Sequence, residues 1–161
     1  MSLPYNTNPA GLHVPAGTGV QRWFAGDLYE VLLSGPQTNG LLGIVEASVP
    51  PGGGPVPHYH PGSAETFYLL DGELEFLNGD DTFTAGRGDV VHIPANTVHR
   101  FHNGGLHEAK MLFLYTAAGP EGLWVATGDE PEPGVPVPPW GPERWTPEVL
   151  EAGARYGHLT P

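Results

Sequence analysis

The sequence predicts an all-β fold of the sandwich or barrel type, and three observations carry that reading. Short apolar segments bounded by turn residues recur from residue 20 to residue 118, about nine or ten of them, with no helix between. The 24 glycines and 19 prolines gather mostly between those segments, where tight turns need them. Strand and helix patterns do not alternate, so a parallel α/β sheet is excluded. The length of 161 residues suits one domain, and no internal repeat suggests two.

Taken in order, residues 1–19 lack periodicity and read as an arm. Strands are expected at 21–25, 28–34 and 41–49. Residues 50–57, PPGGGPVP, cannot be a central strand, because proline lacks the ladder donor. The segment 56–60 leads into a strand at 64–70, which Gly72 interrupts before 74–77. Asn78–Gly79 is a hairpin signal. Strands follow at 82–84, 89–93, 98–103 and 108–117. Residues 129–142 hold six prolines and read as an extended tether. Thr146 followed by Pro147 predicts a short helix over 147–156, stopped by Gly157. Trp140 and Trp145 are candidate anchors for this tail.

Composition removes several function classes. Lys and Arg total 6 against 18 Asp and Glu, a formal net charge of -12 that opposes nucleic acid as a partner. Cysteine is absent, which excludes disulfides, thiolate ligands and Cys nucleophiles. No apolar run approaches the ~20 residues that span a bilayer, and MSLPYNTNPAG has no signal-peptide character. A cytoplasmic protein without membrane contact is the expectation.

The chemistry-bearing residues are His58, His60, Glu65 and His99. Two histidines two apart on a strand point to one face. Glu65 opens the next extended segment and His99 the strand at 98–103. Three neutral imidazoles and one carboxylate suit a divalent first-row metal, and Fe, Mn, Ni, Co, Cu and Zn all tolerate that set. Spacing alone leaves surface or turn histidines equally open. Phe67 and Leu69 share the parity of Glu65, and Phe101 that of His99. Leu74 and Phe76 form another inward pair, and Met111, Phe113 and Tyr115 share one face of the last strand. These eight are core candidates first; around a cavity they would make an apolar slot for a small apolar or aromatic substrate.

Two stretches resemble the signature motifs of the cupin superfamily. The first is Gly52-x5-His58-x-His60-x4-Glu65-x6-Gly72, and the second is Gly88-x5-Pro94-x-Asn96-x2-His99-x3-Asn103. Asn96 replaces the usual glycine, and asparagine tolerates left-handed backbone angles. The resemblance implies a cupin barrel (a double-stranded β-helix, jelly-roll-like) over residues 20–118, with a short C-terminal helix. Residues 1–19 would be the N-terminal arm, and 119–161 a proline-rich tail with its helix docked outside. It also matches His58, His60, Glu65 and His99 to the family's metal ligands one by one. The segment QRWFAGDLYEVLLSG and the 50–57 lead-in are similar to small bacterial members of the quercetin 2,3-dioxygenase-like group. That likeness implies a metal-dependent dioxygenase cleaving a flavonol or related enolic aromatic with dioxygen. Glu65 would then be catalytic, accepting the substrate hydroxyl proton. The same scaffold carries non-redox isomerases, lyases and polyketide cyclases, and binding proteins without catalysis. A homodimer is expected, because the strands at 28–33 and 41–49 hold more apolar surface than one narrow interior needs.

Overall fold

Nine strands run between Val20 and Thr116 in the computed structural model, which describes residues 11–161. The first ten residues of the expected arm lie outside the described residues. The strands are β1 (Val20–Phe24), β2 (Asp27–Leu33), β3 (Gly43–Val49), β4 (Ala64–Asp71) and β5 (Glu73–Asn78). They continue as β6 (Asp81–Gly86), β7 (Val90–Ile93), β8 (His99–His102) and β9 (Ala109–Thr116). Turn chemistry sets the joints. Ala25 and Gly26 both take positive φ, 53° and 92°, in the two-residue turn between β1 and β2. The turn signalled by Asn78–Gly79 joins β5 to β6, with Gly79 at φ 61°.

The strands pair antiparallel in two sheets. One has six strands in the order β1-β2-β3-β9-β4-β7, and the other three, β6-β5-β8. The expected closed barrel is therefore corrected to two open sheets. The physical reason lies beside β8, where residues 50–57 run. Prolines at 50, 51, 55 and 57 have no N–H to donate, so no strand forms there. Contact across that gap is reduced to one bridge, His58 with His99, and two backbone bonds joining Asn103 to Gly52 and Gly53. The edge strands β1 and β7 of the large sheet pair with no strand of the small one.

Side-chain alternation puts the core between the sheets. Val45, Ala47 and Val49 of β3, and Met111, Phe113 and Tyr115 of β9, are buried on the inner face. Phe67 is at the centre, with its ring centroid 5.1 Å from Phe76, 5.6 Å from Phe113 and 6.0 Å from Phe101.

A single helical turn, α1 (Gly35–Thr38), interrupts the strand region where no helix was expected. Pro36 sits within its first turn, and the Gln37 side chain accepts a bond from the Ser34 N–H. After β9 comes a second short helix, α2 (Gly122–Thr127), also absent from the expectation. It buries Leu123 and Trp124, and Trp124 stacks on Tyr29 at 4.4 Å. Residues 130–141 contain no helix or strand, and a 3-10 turn follows at Pro142–Arg144. Trp140 and Trp145 pack on Phe24, with centroids 4.4 Å and 5.8 Å away. The last helix, α3 (Pro147–Arg155), starts at Thr146, whose hydroxyl accepts from the Val149 N–H. Gly157 then takes φ 70° and turns the chain back towards the sheets. Among the described residues no helix is long and apolar enough to cross a membrane.

Candidate metal centre

His58 and His60 emerge from the loop before β4, Glu65 is the second residue of β4, and His99 opens β8. The small and large sheets thus each contribute to one cluster. Its ligand atoms lie within 4.8 Å of one another, and all four residues are buried. Glu65 Oε2 is 2.8 Å from His99 Nε2 and 3.2 Å from His60 Nε2.

Backbone carbonyls fix the imidazoles. His58 Nδ1 lies 2.9 Å from Val56 O, His60 Nδ1 2.7 Å from Gly157 O, and His99 Nδ1 2.8 Å from Thr97 O. A carbonyl can only accept, so Nδ1 carries the proton in each ring and Nε2 is turned to the centre. Such outer hydrogen bonds are what orients metal-binding histidines. The Nε2 of His60 is buried without a hydrogen-bond partner, since its approach to Glu65 is poorly aligned for one. A lone pair stranded in a dry site is costly unless an ion takes it. The donor set is a buried His/His/Glu/His cluster capable of coordinating a divalent metal, with no thiolate to favour one ion over another.

Electrostatics without an ion fit the same picture. Burial pushes the His58 imidazole well down, and its histidine neighbours add to that. Burial acts to raise the Glu65 carboxyl, but the adjoining His60 and His99 imidazoles outweigh it and hold the group well below the carboxylate range. Burial opposes charge on His99 too, yet the Glu65 contact raises its pKa. The cluster therefore keeps an anionic Glu65 beside a His58 imidazole that burial holds neutral, as a metal ligand must be.

The space enclosed at these ligands is about 10 Å³, room for about one water. Of the eight apolar residues expected to line a slot, Phe101, Phe113 and Tyr115 face this space, while Phe67, Leu69, Leu74, Phe76 and Met111 are buried in the core. The remaining wall was not anticipated: Phe24, Tyr29, Pro55, Trp124 and His158. His158 lies parallel to His58, rings 4.1 Å apart and 10° between planes. Period-two patterning could have flagged Tyr29, which shares the buried face of β2 with Asp27 and Val31. No spacing signal connects His158 to the motifs, because the tail reaches the site through tertiary contacts alone.

A model of the cupin domain matches residues 45–115. The chain is 31% identical over 109 residues to a quercetin 2,3-dioxygenase from Bacillus subtilis (strain 168), across 67% of this chain. It spans only 32% of that protein's length. It is 30% identical over 106 residues to the tetracenomycin polyketide synthase protein TcmJ of Streptomyces glaucescens, covering 65% of this chain and 70% of that one. A crystal structure of a predicted oxalate decarboxylase from Thermotoga maritima shares the fold, with a TM-score of 0.62 at 20% identity over 66% of this chain and 99% of the other. These likenesses correct the expectation of a specific dioxygenase role: similar identity reaches a polyketide synthase protein over a larger share of its length, so they support the metal-binding cupin without its reaction.

Proposed function

Since the chain belongs to the cupin superfamily, we propose that it is a metal-dependent enzyme acting on an enolic or phenolic aromatic compound. One observation carries the reading: three imidazoles with Nε2 turned inward converge on a buried carboxylate, His60 Nε2 having no hydrogen-bond partner among the described residues. Aromatic walls around that cluster, and relatives named for quercetin and for a polyketide, support an aromatic substrate with ionisable hydroxyls.

His58, His60, Glu65 and His99 would hold the ion. A divalent metal there supplies Lewis acidity, which lowers the pKa of a hydroxyl brought to it. The chain's own groups do the rest. Glu65, whose Oε2 makes both imidazole contacts, is the carboxylate that would accept the substrate proton. Tyr115 stays a neutral phenol, held there by burial and by the neighbouring Glu65 charge. Trp124 and Tyr29, stacked with 10° between planes, present a rigid aromatic wall. The outer face of β2, β3 and β9 carries half-buried Leu32, Ile44, Leu112 and Leu114, which supports the homodimer as a companion proposal.

The test loads stripped protein separately with Fe(II), Mn(II), Ni(II), Co(II), Cu(II) or Zn(II), then offers flavonols and polyketide-type enols with and without oxygen. Turnover coupled to oxygen uptake makes it a flavonol dioxygenase, and turnover without oxygen a cyclase or isomerase. Metal uptake with no turnover of any enol leaves a binding protein and overturns the enzyme reading. Glu65→Gln at verified full metal occupancy isolates the base: the expected loss is about 10²–10⁴-fold in kcat. A rate within ~3-fold of wild type would leave Glu65 as a ligand only.

A further inference from the structure

Beside the metal cluster lies a second, larger space. It encloses about 320 Å³ between the C-terminal helix α3, the returning tail and the edge of the large sheet. Three of the exposed large apolar side chains, Val56, Trp145 and Leu150, stand around it. No Asp, Glu, Lys or Arg lines it. The inner space and this outer one share three walls: Phe24, Pro55 and His158. The partition is therefore one residue deep.

His158 is the part of that partition which the tail delivers. Its backbone N–H donates to Gly153 O at 2.8 Å, and the next residue, Leu159, exchanges two backbone bonds with Tyr59 at 2.8 Å and 3.1 Å. The Nδ1 of His158 is buried and has no hydrogen-bond partner. A polar atom facing a site without a partner is a group waiting for one. The tail also touches the ligands directly, through Gly157 O on His60 Nδ1.

We propose that the outer chamber holds the apolar body of a neutral aromatic substrate, and that His158 is the specificity-determining partition its oxygen-bearing edge displaces to reach the metal ligands. The inner space holds about one water, so the ring system has to sit elsewhere. The outer chamber is in the size range of small-molecule sites and opens to solvent past apolar side chains. The lining and the net charge of -12 both select against anions. Once His158 swings away, its Nδ1 gains a partner in the substrate or water, which offsets the lost stacking on His58. The movement asked of His158 is a side-chain rotation, with the tail's backbone bonds, the Gly157 O contact on His60 and the nine strands untouched.

The inference rests on the reading of the cluster as a metal centre, and the experiment separates the two. Zinc-loaded protein is titrated with 3-hydroxyflavone under nitrogen, so that no oxygen-coupled turnover competes with binding. Three quantities are read: zinc per chain, quenching of tryptophan fluorescence as the chamber fills, and the red-shifted absorption of the metal chelate. Leu150→Glu puts a carboxylate at the mouth on an exposed position. It should weaken binding by about tenfold or more with zinc content unchanged. His158→Ala should leave the affinity from quenching near wild type while the chelate band forms about fivefold faster or more. Equal binding by Leu150→Glu, or quenching absent in the wild type, overturns the chamber. An unchanged chelate rate in His158→Ala overturns the partition. Failure to retain zinc overturns the metal centre instead, and the chamber is then still read from quenching in zinc-free protein.

Discussion

Asp27 offers a sharp test of how this site is held together. It is fully buried on β2 and forms no ion pair among the described residues. Its Oδ2 accepts from the Tyr29 hydroxyl at 3.1 Å, and its Oδ1 from the Gly54 N–H at 3.2 Å. Through Gly54 it tethers the loop that carries His58. Burial pushes its carboxyl from 3.8 up to about 7, against the pull of those two hydrogen bonds. Below 3.8 the group is protonated in folded and unfolded chains alike and imposes no penalty. Between 3.8 and about 7 the unfolded chain ionises and the folded one does not, so stability falls as pH rises. Above about 7 the whole penalty stands, and it amounts to ~4 kcal/mol. That is a large part of the 5–15 kcal/mol typical of a domain. In Asp27→Asn the amide oxygen can keep the Gly54 bond and the amide NH₂ can donate to the Tyr29 hydroxyl, so packing is preserved while the titration is removed. Urea unfolding of both chains, in the same metal state, isolates this group because all other ionisations cancel in the difference. The variant should match the wild type or fall slightly below it near ~pH 4, and exceed it by about 4 kcal/mol near ~pH 8. A difference between the two chains that stays constant across that range would refute the argument.

Two further outcomes follow from the same geometry. His99→Ala should lose most of its bound metal, read by elemental analysis, yet keep the far-UV dichroism of wild type, because the His58–His99 bridge is made by backbone atoms. Gly54→Ala should cost ~3 kcal/mol or more in urea unfolding, since Gly54 holds φ 119° and a Cβ there would collide with the Phe101 carbonyl oxygen; a loss below ~1 kcal/mol would show that the loop can move aside.

What the sequence by itself determined was local or periodic. Alternation in β3, β4 and β9 sets which side chains face the core, because a strand's side-chain period is a property of the backbone. Asn78–Gly79 marks a turn for a similar local reason, and Thr146–Pro147 marks the start of α3. Spacing alone left surface or turn histidines open at His58, His60, Glu65 and His99; the resemblance of the two short motifs around them made the ligand set legible, and the loop before β4, β4 and β8 bring it together. Only the tertiary structure decided the rest. Whether the sheets close depends on hydrogen bonds between an edge strand and a proline-rich segment distant from it in the chain. No periodicity encodes those bonds, and here they are too few to close the gap. The small helices α1 and α2 are shorter than two turns and leave no 3.6-residue pattern to read. The tail's role was hidden most deeply. His60 and Gly157 are 97 positions apart, and the contact between them exists because α3 and the turn at Gly157 aim the chain back at the site. Side-chain patterns report which face of an element is apolar; which distant segment covers it is settled by packing, and here packing puts His158 over His58 of the His/His/Glu/His cluster.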